Sequence, residues 1–265
     1  MGLVQRKVGI IGGTGRMGSW FADLLERSGE TVYRIGRSTE LTPSEAAKNC
    51  DVVVISVPIA ETVNIIREIG PLVPKHALLM DLTSIKKEPV KAMLEHSDSQ
   101  VVGLHPLFGP DNLITKGRKA VVCHGRGKQG IDWLTHTLEQ FGIELIYMDP
   151  LSHDRLMGII QGVNHLSTLA LGLSLSRSEF LCNEIVRSST QTFAQRIDRI
   201  RAVLEQPPEL FESILMDNSE AEEFIGTYKD AVRELSEITT NRDREKFRDI
   251  FKSLKAFCAS KQEKR

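Results

Sequence analysis

Residues 8–18 read VGIIGGTGRMG, an apolar run followed at once by Gly13-x-Gly15-x-x-Gly18 and then by a helical pattern. No other segment restricts the fold of this chain as tightly. In a strand-to-helix turn of this kind the first glycine permits the tight bend, the second lets backbone N–H groups approach a pyrophosphate, and the third allows close helix–strand packing. Gly12, Gly13, Thr14, Gly15, Arg16, Met17 and Gly18 are therefore expected to cradle the phosphates of a dinucleotide at a helix N-terminus. The competing reading is a plain tight turn, so the weight of the motif depends on what surrounds it.

The surroundings favour dinucleotide binding. Up to about residue 148, short apolar runs alternate with helical patterns: VGIIGG, TVYRIG, DVVVISVP, ALLMDLTS, VVGLHP, KAVVCHG and ELIYM. Runs without polar alternation suit strands covered on both faces, as in a parallel sheet. Between the first two, Met17, Trp20, Phe21 and Leu24 recur at helical spacing and Gly29 suits a helix C-terminus. Residues 1–149 are thus expected to form an α/β, doubly wound (Rossmann) parallel sheet that binds NAD(P).

After Asp149-Pro150 the strand pattern stops, and residues 150–265 read as an all-helical domain. The first helix, roughly residues 152–176, contains MGIIQGVNHLSTLALGL and is more apolar all round than a surface helix, so it should be buried between domains or subunits. The tail KQEKR reads as a solvated end.

Thirty-four basic residues face thirty-five acidic ones, leaving a formal charge of −1 and no positive field to hold a nucleic acid. Cys50, Cys123, Cys182 and Cys258 are far apart, form no C-x-x-C pair and read as reduced thiols. No metal-ligand spacing stands out. MGLVQRK leads directly into a strand without room for a signal peptide, and no uncharged apolar stretch of about 20 residues is expected to span a bilayer. No membrane partner is expected, and the protein should be cytoplasmic.

Candidate site residues fall at the carboxyl ends of the expected strands, where ligands sit in such sheets. Ser56 and Pro58 end the third strand and are expected near the cofactor. After the fourth, Thr83 or Ser84 caps the next helix, or Ser84 serves the active site. His105 ends the fifth strand in GLHPLFGP, and an imidazole placed beside a nicotinamide is suited to take the proton of a hydroxyl whose carbon gives up hydride. In the helical half, His153, His165, Arg196, Arg199 and Arg201 are candidates; His165, on an apolar helix, would need a partner or a ligand. At the end of the second strand no acid is placed to hold a ribose 2′-hydroxyl. Arg37, Ser38 and Thr39 stand there instead, which points to NADP, with NAD as the alternative.

GIIGGTGRMG, VVISVP, DLTSIK, GLHPLFGP, the triplet Ser152-His153-Asp154 and NHLSTLALG, taken in this order, resemble the prephenate/arogenate dehydrogenases of tyrosine biosynthesis. The resemblance implies a homodimer joined through the helical domain, and oxidative decarboxylation of prephenate to 4-hydroxyphenylpyruvate with hydride transfer to NAD(P). It implies His105 and Ser84 as catalytic residues, and His165, Arg201 and His153 on the substrate side. Arg201 matches the carboxylate-binding arginine counted forward from Ser188-Ser189; counting back from Pro208 misses by one residue, so Arg199 is its rival. A preceding chorismate mutase domain, carried by some members, is not expected. Arogenate is the alternative substrate. A β-hydroxyacid-type dehydrogenase is the other alternative, disfavoured because that class relies on a lysine on the first long helix and residues 154–176 contain none.

Overall fold

In the computed structural model the described residues are 5–110 and 115–259; KQEKR lies outside them. All seven apolar runs become strands: β1 (Lys7–Ile11), β2 (Thr31–Ile35), β3 (Val52–Ile55), β4 (Leu78–Asp81), β5 (Gln100–Pro106), β6 (Lys119–Arg126) and β7 (Glu144–Tyr147). They form one sheet in the order β2-β1-β3-β4-β5-β6-β7. Helices α1 (Arg16–Arg27), α2 (Pro43–Asn49), α3 (Ile59–Ile69), α4 (Lys87–His96) and α5 (Lys128–Gln140) connect most of them.

The alternation of side chains along each strand explains the two layers of helix. Val8 and Ile10 of β1, Val52 and Val54 of β3, and Leu78 and Met80 of β4 bury one face with Phe21, Leu24 and Leu25 of α1 and Leu134 of α5. Their neighbours Ile11, Val53, Ile55 and Leu79 point the other way, onto Ala46 of α2, Ile66 of α3 and Met93 of α4. Gly29, at φ +94°, ends α1, as its sequence position suggested.

The sheet is not wholly parallel, which corrects the sequence expectation. β5 and β6 pair antiparallel, while every other pairing is parallel. No helix separates β5 from β6 among the described residues, so the chain is not carried back to the opposite edge and must return alongside β5.

The helical half begins with α6 (Pro150–Met157), which continues through a π-helical segment (Gly158–Val163) into α7 (Asn164–Ser176). Short helices α8 (Cys182–Arg187), α9 (Gln191–Leu204) and α10 (Pro208–Met216) lead to the longer α11 (Ala221–Thr240) and α12 (Arg244–Ala259). One helix was expected over residues 152–176; the π segment interrupts it where α11 crosses. A Cβ on Gly158 would lie 2.9 Å from Phe224 and 3.0 Å from the backbone of Ala221, so glycine admits the close crossing. Contrary to the expectation of no apolar stretch long enough for a bilayer, Pro150–Ser176 is by length and composition long and apolar enough to cross a membrane. Within the chain it packs on α11, and Gly172 lies against Ile200 of α9. Much of α7 is only half-buried in the single chain, so burial between the two halves does not account for its apolar character.

Candidate active site

The glycine loop occupies the point where the chain leaves β1 between β2 and β3, the crevice in which open α/β sheets bind ligands. Gly12 has φ +83°, and a Cβ there would come within 2.2 Å of the Ser56 carbonyl oxygen. A Cβ on Gly18 would come within 2.3 Å of the Gly12 carbonyl oxygen. The loop is stitched to β2, with the Gly12 N–H donating to the Ile35 carbonyl at 2.8 Å. Gly15 is the N-cap of α1 and offers no side-chain cap, which leaves first-turn N–H groups available to an anion. These features fit a dinucleotide pyrophosphate. Arg16 reaches across to the helical half, donating to Gln206 Oε1 at 2.6 Å. Ser56 and Pro58 stand beside the loop, with the Ser56 N–H donating to Ile11 at 2.8 Å and Pro58 forming the N-cap of α3.

At the end of β2, Arg37 and Ser38 are exposed. Thr39 is already engaged, since its hydroxyl accepts from the Gly36 N–H at 3.0 Å and closes a small turn. Arg34 is also committed, paired with Asp23 and Glu26 of α1.

His105 lies at the end of β5 and is 3% exposed. The following loop is anchored by Phe108, whose ring meets Trp20 edge-on at 5.1 Å. Nδ1 of His105 sits 2.9 Å from Nε2 of His153, and its Nε2 lies 3.4 Å from Gln161 Nε2 in the π segment. On the far side, His153 Nδ1 is 2.6 Å from Asp154 Oδ1. Asp154 in turn accepts the Lys86 N–H at 2.7 Å and the Lys87 N–H at 2.9 Å, capping α4. Burial, then the His153 ring and the Lys86 charge, hold the basicity of His105 well below the usual 6.5. Burial likewise lowers His153, against the opposing hydrogen bond from Asp154.

Beneath this row, Lys86 and Asp81 are both fully buried and paired, and Thr83 donates its backbone N–H to Asp81 Oδ2 at 3.0 Å. Neither Thr83 nor Ser84 caps α4. Thr83 is bound to Asp81 and Ile85, and Asp154 has taken the cap, so Ser84 stays half-buried on the loop between β4 and α4.

The substrate-side candidates separate. His153 is fully buried with both ring nitrogens engaged, so it offers nothing to a substrate in this geometry and stands behind His105 instead. His165 carries a buried Nδ1 without a hydrogen-bond partner, and its ring meets Phe211 edge-on at 5.0 Å. Its basicity is lowered by burial and by the charge of Arg199. Arg201 is half-exposed and pairs with Asp198 at 3.1 Å. The two arginines leave α9 on either side of buried Ile200, which explains why they meet different neighbours. Sequence reasoning gave Asp154, Lys86 and Asp81 no role, although all three lie in segments it singled out.

Two family models match the chain: the prephenate dehydrogenase nucleotide-binding domain over residues 23–126 and the prephenate dehydrogenase dimerization domain over residues 149–253. The T-protein of Haemophilus influenzae is 33% identical over 249 residues, covering 94% of this chain and 66% of the relative. The T-protein of Enterobacter agglomerans is 30% identical over 242 residues, covering 91% of this chain and 65% of the relative. The chain therefore spans about two thirds of these relatives' length. Among solved structures, prephenate dehydrogenase from Aquifex aeolicus, in complex with hydroxyphenyl propionate and NAD+, superposes with a TM-score of 0.75 at 19% identity, covering 98% of this chain and 99% of that one. Synechocystis arogenate dehydrogenase gives a TM-score of 0.72 at 15% identity, covering 96% and 99%. With both halves matched in order and the fold shared from end to end, the chain belongs to the prephenate dehydrogenase family.

Proposed function

We propose that this protein oxidatively decarboxylates prephenate to 4-hydroxyphenylpyruvate, with His105 as the group that handles the hydroxyl proton. The observation carrying this reading is the placement of His105: buried at the end of β5, on the same sheet edge as the glycine loop, with Nε2 turned toward the helical half and its basicity lowered by burial. When bound, the oxidised nicotinamide supplies the hydride acceptor. His105 Nε2 accepts the hydroxyl proton as the carbinol C–H pair departs as hydride. The ring carboxylate leaves as carbon dioxide, its bonding electrons complete the aromatic ring, and His105 returns the proton to the resulting phenolate oxygen. Ser84, on the neighbouring loop, is assigned a hydrogen bond to the same hydroxyl.

His165, with its unpartnered Nδ1, is assigned to the substrate side chain. Arg201 is assigned to a substrate carboxylate: its exposed pair with Asp198 is worth no more than about 1 kcal/mol and exchanges readily for a bidentate contact. The field of Arg199 on His165 keeps Arg199 as the rival. The cofactor is assigned as NADP in preference to NAD, because Arg37 and Ser38 are exposed at the end of β2 and no acid occupies that strand end. We also place the domain boundary at residues 149/150, between β7 and α6, and assign the chain to the cytoplasm as a homodimer joined through the helical half. Exposed Leu173, Phe180, Leu181, Phe251 and Leu254 support the dimer, as does the dimerization-domain match. Steady-state assays with prephenate and arogenate, each with NAD+ and NADP+, test the reading; failure to reduce either cofactor with either substrate overturns it.

A further inference from the structure

We propose that Asp154 and His153 act as positioning residues that fix the tautomer of His105, leaving Nε2 as its unprotonated nitrogen. The proposal rests on the reading of His105 as the base and adds what makes that base competent. A carboxylate only accepts, so the 2.6 Å contact between His153 Nδ1 and Asp154 Oδ1 puts the proton of a neutral His153 on Nδ1. Its Nε2 then carries a lone pair. That lone pair lies 2.9 Å from His105 Nδ1, which must therefore donate, and the proton of a neutral His105 is on Nδ1. The Nε2 lone pair of His105 is left open. Gln161 gives a separate indication at the other end, because its amide nitrogen, which can only donate, is the atom nearest His105 Nε2, at 3.4 Å.

The anchor of the series is tied down at three points. Asp154 is held by the Lys86 and Lys87 N–H groups at the head of α4, and its own carbonyl accepts from Asn218 Nδ2 at 2.9 Å. His153 is fully buried, and the rings of His105 and His153 meet edge-on at 5.1 Å. Asp154 and His153 belong to α6 and His105 to the sheet, so docking of the helical half onto α4 and β5 sets the protonation pattern of the base. Had His153 only a packing role, the position of the His105 proton would not depend on it.

The test uses the full-length protein labelled with ¹⁵N-histidine. Long-range ¹H–¹⁵N correlation at a pH where the ring is neutral is expected to find wild-type His105 protonated on Nδ1. In His153→Phe the Nε2-protonated form should become a major species, and kcat should fall at least about tenfold with cofactor Kd and substrate KM within about twofold; a misoriented tautomer alone can cost up to about 10⁴-fold in a hydrolase triad. In His153→Gln the amide oxygen can accept from Nδ1–H, so the wild-type tautomer should persist with a smaller loss of kcat; this variant also serves if His153→Phe does not fold. Wild-type His105 protonated on Nε2, or an unchanged tautomer in His153→Phe, overturns the proposal, as does a His153→Gln protein with the Nε2-protonated form. Normal turnover in His105→Asn would instead overturn the base assignment, and the tautomer measurement distinguishes the two failures.

Discussion

Replacing Gly12 by alanine separates the two demands that the cofactor loop places on its backbone. At φ +83° an L-residue costs about 1–2 kcal/mol in left-handed strain. The added Cβ would also stand 2.2 Å from the Ser56 carbonyl oxygen, against an ordinary contact of 3.4–4 Å, so the ends of β1 and β3 must part. Overpacking of this kind costs about 1–3 kcal/mol more. Gly29 is the internal control: its φ is +94°, but nothing lies within 4 Å of an added Cβ, so Gly29→Ala carries the strain alone. Urea unfolding should therefore find Gly12→Ala less stable than Gly29→Ala by about 1–3 kcal/mol. Because the parted strands carry the phosphate loop, cofactor Kd should rise at least about tenfold in Gly12→Ala, a change of about 1.4 kcal/mol, and stay unchanged in Gly29→Ala. Equal stability and equal cofactor binding in the two variants would refute the reasoning.

Arg201→Gln should raise KM for prephenate far more than it lowers kcat, because a carboxylate clamp holds ground and transition states alike; a larger effect from Arg199→Gln would move the clamp to that residue. Arg37→Ala should weaken NADP binding by about 10- to 100-fold, from a charge-assisted contact of about 1.5–3 kcal/mol, and leave NAD binding nearly unchanged; equal losses for both cofactors would contradict the 2′-phosphate assignment. The role proposed for His105 requires the neutral ring, and burial lowers its basicity, so the acid limb of the kcat/KM profile should fall below pH 6.5. An acid limb above that value would mean that the folded site favours the charged ring.

The seven strands were legible because each carries a short β-branched or apolar core, unbroken in VVVI and LLM and interrupted by Arg34 in TVYRI, and the loop was legible because Gly12 and Gly18 are required by carbonyl oxygens little more than 2 Å from their missing Cβ atoms. Strand direction was not legible. A buried run such as KAVVCHG looks the same whether it pairs parallel or antiparallel, and β6 reverses only because no helix intervenes before it. The environment of His105 was also hidden. His153 lies 48 residues away in sequence, and its contact is made by the docking of α6 on the sheet, a tertiary event with no local pattern. Asp154 gave no cue as a helix cap because the helix it caps, α4, begins 67 residues earlier. His165 was legible as a histidine on an apolar helix in need of a partner, and its Nδ1 is buried without a hydrogen-bond partner.

If one imidazole at the end of β5 drives oxidation coupled to decarboxylation, as proposed, reduced nicotinamide and carbon dioxide followed together in wild type and His105→Asn will report it. Wild type should form the two in equal amounts from prephenate, and His105→Asn should lose a factor on the order of 10² to 10⁴ in kcat with cofactor Kd nearly unchanged. Wild-type turnover in His105→Asn, or reduction of the cofactor without release of carbon dioxide, would contradict the account.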